Sequence, residues 1–133
     1  MIEQPSAADG PLIPMPALTP AALRAAVAQI APAQLPSFVE HLGRAVEQAA
    51  AQSTISPLRT FLQWWGEFVA IQRYPARAAR LRELEGEAEQ AADREAVRSA
   101  LAEMRQITEL AHHEISAWAT TRPGTTTPMP STS

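Results

Sequence analysis

The 133-residue chain is predicted to be all-α, a four- or five-helix bundle between two disordered tails. Apolar residues recur at the i, i+3, i+4, i+7 spacing of amphipathic helices, and no stretch alternates with the period of two that a half-buried strand needs. Hydrophobic residues make up 46% of the chain but aromatics only 5%, with Ala heavily used. That mixture suits close-packed helices, because Ala has the best helix propensity and lets backbones approach. The twelve prolines fall at expected helix starts or near the ends of the chain.

Pro5, Pro11, Pro14 and Pro16 crowd residues 1–18, and Pro123, Pro128 and Pro130 fall within 121–133. The Pro-rich 1–18 and the Thr/Pro-rich 121–133 therefore read as flexible tails with no periodicity to bury. A single helical domain over 19–120 lies between them.

The first helix is expected over 20–31, with Thr19 as N-cap and Pro20 in the first turn. Leu23, Ala26, Val27 and Ile30 form its inner face. The second, over 33–52, is opened by Pro32 or Pro36 and carries Leu35, Phe38, Val39, Leu42, Val46 and Ala49. The third, over 57–73, follows an N-cap at Ser56 and aligns Leu58, Phe61, Leu62, Trp65, Phe68 and Val69. Trp64 points about 100° away from Trp65 and joins Phe68 and Ile71 on a flanking strip. Apolar residues thus cover half of this helix, which should be central and packed on two sides. Gly66 falls on its polar face.

Pro75 opens the remainder. Leu81, Leu84, Ala88, Ala91 and Ala92 define one face. Val97, Leu101, Met104, Thr108, Ala111, Ile115 and Trp118 define another. In one unbroken helix the two faces would differ by roughly 170°. Either the helix breaks at 91–94, where Asp93 is a suitable N-cap, or one long helix uses opposite sides in its two halves. The break is the preferred reading.

Composition excludes several classes of function. All eleven basic residues are Arg, which fits the codon bias of a GC-rich bacterial genome, and the net charge is −3. An acidic balance argues against nucleic acid as a partner, since affinity there rests on neutralising phosphates. With no Cys there is no disulfide, thiol nucleophile or thiolate-bound zinc. No apolar run reaches the roughly 18 residues of a membrane span. No basic residue precedes Arg24 and no secretory signal is recognisable. A cytoplasmic protein with no membrane partner is expected.

Motifs for chemistry are few. Glu109 and His112 form an E-x-x-H pair, which bridged metal bundles use, but those need a second such motif and further carboxylates. No metal site or cofactor is expected. There is no Gly-rich loop or nucleophile elbow, and neither His41 nor His112-His113 sits in a recognisable catalytic motif, so an enzyme is not expected. Arg73, Arg77 and Arg80 share a helical face and could bind an anion or an acidic partner. The competing reading is a solvated face, with Arg80–Glu83 and Arg82–Glu85 paired at i,i+3. Surplus apolar surface at Trp64, Ile71, Leu101, Met104, Ile115 and Trp118 suggests a protein contact.

Trp64-Trp65-Gly66 matches the W-x-G of the small helical hairpins exported by type VII machinery. That family places the motif in a turn, whereas here it lies within a helical pattern, so the match is set aside. Over residues 19–90 the pattern carried by Leu23, Arg24, Pro57, Leu58, Leu62, Trp65 and Pro75 resembles a family of short GC-rich bacterial helical proteins of unknown function. Their central helix is of the PLxxFLxxW type. The resemblance implies a small intracellular helical protein, and an antitoxin-like role through relatives encoded near toxin genes. The expected function is therefore a non-enzymatic helical protein–protein interaction module, antitoxin-like or a regulatory adaptor, self-associating as a homodimer. The alternative is a DNA-binding transcriptional or nucleoid-associated regulator resting on the Arg73–Arg82 cluster.

Overall fold

A computed structural model describes residues 10–121, with side chains through Ser116. Five α-helices follow one another and no strand occurs among the described residues: α1 (Pro20–Ile30), α2 (Leu35–Gln52), α3 (Ser56–Gln72), α4 (Pro75–Gln90) and α5 (Arg94–Thr121). A 3-10 turn over Pro32–Gln34 leads into α2. Both prolines thus serve the junction: Pro32 starts the turn, and Pro36 sits in the first turn of α2, where a missing N–H costs nothing.

Local chemistry accounts for the boundaries. The Thr19 hydroxyl accepts the N–H of Ala22 at 3.1 Å and caps α1. Ser53 ends α2 in the left-handed region, φ 51°. At α3 the N-cap is Ile55, one residue before the expected Ser56, which is already helical and whose N–H is taken by the Thr54 hydroxyl at 3.2 Å. Between α4 and α5 the chain breaks where the two apolar faces fall out of phase. Ala91 is extended, and the Asp93 carboxylate caps α5 by accepting the N–H of Ala96 at 2.8 Å.

α3 is the shared element of two core clusters. Its first four turns pack Phe61, Trp65 and Val69 against Leu23 and Val27 of α1 and Phe38 and Ala45 of α2. Phe38 meets Phe61 and Trp65 edge-on, with ring centroids 5.1 Å apart in each pair. The end of α3 contributes Ala70 and Ile71 to a second cluster with Ala78 and Leu84 of α4 and Ala100, Ile107 and Ala111 of α5. Small residues at these positions let α4 and α5 run close together.

Three expectations change in the packed chain. Val39 and Val46 of α2 are exposed, because α1 and α3 cover the side bearing Phe38, Leu42 and Ala45. On α5 the buried stripe is Ala100, Ile107, Ala111 and Ile115, so Leu101 and Thr108 face outward, one position round from the expected line. The leader also packs: Gly10–Leu18, assigned to a tail on proline content, cross the molecule with Ile13 buried. The Leu12 N–H is donated to the Arg73 carbonyl at 2.7 Å. Proline bars helix and ladder here but not side-chain burial. Residues 1–9 and 122–133 of the expected tails lie outside the described residues.

Gly66 is buried rather than polar-facing. A Cβ there would lie 2.9 Å from Leu18 Cδ2 and 3.3 Å from Ile115 Cδ1. The missing side chain is what lets the leader and α5 close over α3.

Candidate interaction surface

The three arginines expected to form an anion patch are engaged inside the fold. Arg73 is only 9% exposed. It donates through Nη1 to the Ile13 carbonyl at 3.2 Å and through Nη2 to Glu114 at 3.2 Å. Arg77 pairs with the other Glu114 oxygen at 3.1 Å and donates to the Ala70 carbonyl at 2.9 Å. That carbonyl belongs to the last turn of α3, where no helical N–H is left to reach it. The Tyr74 ring lies under both guanidiniums, 4.7 and 4.3 Å away. Together these contacts clamp the leader, the α3–α4 corner and α5.

Arg80 forks onto Glu103 of α5 through Nε and Nη2, at 2.8 and 2.9 Å, and also reaches Glu83 and Glu87. The hydrogen bond from Arg80 holds the Glu103 carboxyl below its ordinary pKa, and the carboxylates raise that of Arg80 in turn. Three carboxylates therefore occupy this guanidinium. Sequence spacing exposed the Arg80–Glu83 pair. It carried no signal for Glu103 and Glu114, which lie 23 and 41 residues from Arg80 and Arg73.

The histidines divide between core and surface. His41 Nδ1 accepts the Trp65 indole N–H at 2.9 Å. His112 turns to α3, with Nδ1 3.0 Å from Glu67 and 3.2 Å from Gln63. A carboxylate only accepts, so against Glu67 the ring hydrogen sits on Nδ1. Among the described residues no group of three or more acidic or His side chains is placed to hold a metal.

Ser116 lines the same hollow as His112, with Arg59 and Gln63. The backbone N–H groups around Ser116 belong to α5. Both side chains also stand open to water.

The apolar surface expected to meet a partner separates into two sets. Ile71 and Ile115 are buried at 9% and 5%, and Met104 packs against the second core cluster, so these three are used within the chain. The Trp118 side chain lies outside the described residues. Trp64 and Leu101 remain open, at 52% and 46%. Trp64 stacks on Phe68 in a parallel, offset arrangement, centroids 6.0 Å apart and planes 9° from parallel. Its indole borders a groove of about 350 Å³ lined by α3, Leu81 and Glu85 of α4, and Thr108 of α5. A larger hollow of about 670 Å³ over Pro32, Leu35, Pro36 and Val39 has one charged side chain, Glu40, which pairs with Arg44. No helix among the described residues is long and apolar enough to cross a membrane.

No protein-family model matches the chain, and no curated protein and no solved structure is similar to it.

Proposed function

We propose that this chain is a non-enzymatic helical module that acts by binding protein, a second copy of itself included, through the face around Trp64. One observation carries the reading: a half-exposed tryptophan stacked on Phe68, at the edge of a groove lined in part by Phe68, Ile71 and Leu81. Exposed aromatics of this kind anchor interfaces, because a large area becomes buried with little loss of side-chain freedom. An antitoxin-like or regulatory adaptor role falls in the same class. It requires a cognate toxin whose growth arrest the chain relieves. The DNA-binding alternative rested on the Arg73–Arg82 cluster, in which the charges of Arg73, Arg77 and Arg80 face carboxylates of the same chain.

Capture from the native cell with wild-type chain and with Trp64→Ser as baits tests the reading. Proteins retained by the first and lost by the second, at unchanged helicity, support it. Identical sets from both baits sink it.

A further inference from the structure

The groove beside Trp64 combines an apolar lining with charge of one sign. Trp64, Glu67, Phe68 and Ile71 follow the i, i+3, i+4, i+7 spacing that sets them on one face of α3, over about 10 Å of helix. Leu81 and Glu85 line it from α4. Its two charged side chains, Glu67 and Glu85, are both carboxylates, and no basic side chain lines it. One Glu67 oxygen accepts from His112. Glu85 is exposed and has no ion pair among the described residues. Arg80, on the same helix, is already engaged by Glu83, Glu87 and Glu103.

The same molecule shows what such a set of groups holds. At the α3–α4 corner the Arg77 guanidinium lies 4.3 Å from the Tyr74 ring and pairs with Glu114 at 3.1 Å. The ring offers its electron-rich face to the cation, and the carboxylate supplies the opposite charge. Beside Trp64, an indole 52% exposed and two carboxylates stand together with no arginine of this chain among the lining residues. A planar guanidinium can stack on an indole and fork onto a carboxylate at once, which the compact ammonium of lysine cannot. A neutral or acidic segment docked there would shield both carboxylates from water with no compensating charge. The other hollows lack this combination. The one over Pro32 and Val39 has no aromatic ring, and its Glu40 is held by Arg44. The one beside Ser116 carries Arg59.

We infer that the groove beside Trp64 seats an arginine of a partner protein, its guanidinium stacked on the indole and its charge met by Glu67 and Glu85. An apolar neighbour of that arginine covers Ile71 and Leu81. This rests on the interaction-module reading and names the chemistry of the partner.

Random peptides displayed on phage and panned on the full-length chain serve as the probe. Retained peptides should carry arginine beside an apolar residue, and the Trp64→Ser chain should not retain them. Synthesised singly, they should bind a chain with both Glu67→Gln and Glu85→Gln about tenfold or more weakly, at unchanged helicity. Citrulline, the neutral isostere, in place of their arginine should cost as much on wild type and little on the double variant, where the charge has no partner left to lose. Affinity for wild type should also fall as salt rises.

Retained peptides without arginine, or a citrulline penalty equal on both chains, overturn the arginine seat; if Trp64→Ser still releases them, the interaction reading stands. Peptides held equally by Trp64→Ser overturn the seat and the Trp64 surface together. Enrichment of no peptide overturns the seat and leaves the interaction reading to capture from the cell. A dimer of the chain alone that Glu85→Gln dissociates puts a second copy in the groove and overturns a separate partner.

Discussion

The indole N–H of Trp65 is donated to Nδ1 of His41 at 2.9 Å, which ties α3 to α2 beside the buried Phe61 ring. With Nδ1 accepting, the neutral imidazole carries its hydrogen on Nε2, and a second proton would have to enter against the indole. Burial, and then the charge of Arg44, depress the His41 pKa below its ordinary value. The unfolded chain therefore takes up this proton at higher pH than the folded chain. The His41 contribution is complete above about pH 6.5 and is lost as pH falls through that value toward the depressed one. Urea midpoints of wild type and His41→Gln, compared from about pH 8 to about pH 5, should converge on acidification. Parallel curves would refute the assignment.

The two adjacent tryptophans should separate by experiment. Trp65 is 2% exposed and touches Phe38, Phe68 and His41, so Trp65→Ala should cost ~3–5 kcal/mol of stability. Trp64→Ala should cost less and should weaken partner binding instead. Chemical denaturation beside a binding measurement distinguishes them, and equal destabilisation would make Trp64 plain core.

Glu114 lies between two guanidiniums, and its loss would leave Arg73 largely buried without its carboxylate. Glu114→Ala should destabilise by about 2–4 kcal/mol, somewhat less than for a fully buried pair because the carboxylate keeps some solvent. Glu114→Gln should cost less, since its amide oxygen still accepts from one guanidinium. The same denaturation assay orders the two, and a neutral Glu114→Ala would show the clamp to be idle.

At Gly66 a methyl group and a longer side chain should act differently. Gly66→Ala gains about 1 kcal/mol of helix propensity, and the atom it meets, Leu18 Cδ2, ends a flexible side chain. A net change below ~1 kcal/mol is expected. Gly66→Leu has no such escape and should cost at least ~1–3 kcal/mol. Thermal melting checks both, and a tolerated leucine would disprove the close approach.

Ser53 sits at φ 51° with ψ 46°, a conformation that glycine adopts without the Cβ penalty. Ser53→Gly should therefore raise stability by ~1 kcal/mol, read as a higher urea midpoint. A loss would mean that this turn does not need the left-handed geometry.

The helices were legible wherever proline and period agreed. Thr19-Pro20 set the start of α1, and the phase clash between the Leu81 and Val97 stripes marked the α4–α5 break that Asp93 caps. Faces were less legible than elements. An isolated stripe does not say which neighbour will cover it, so Val39 and Val46 looked inward until α1 and α3 closed on the other side of α2. On α5 the choice between Leu101 and Ala100 turned on the close packing of α4, where only a small residue fits. The charged site was least legible. Arg73 and Arg77 read as a surface patch because the acid that neutralises both belongs to a helix still to come in the chain. Proline in the leader masked the anchoring of Ile13 and Leu18.

The leader makes the two ends of the bundle depend on each other. Leu18 seals α3 together with Ile115, and the carbonyl of Ile13 is held by an arginine that also needs Glu114. The leader's packing is thus completed by residues of α5. A chain lacking α5 would leave the Gly66 notch open and Arg73 without its carboxylate, while the cluster of Leu23, Val27, Phe38, Phe61 and Trp65 would keep all its members.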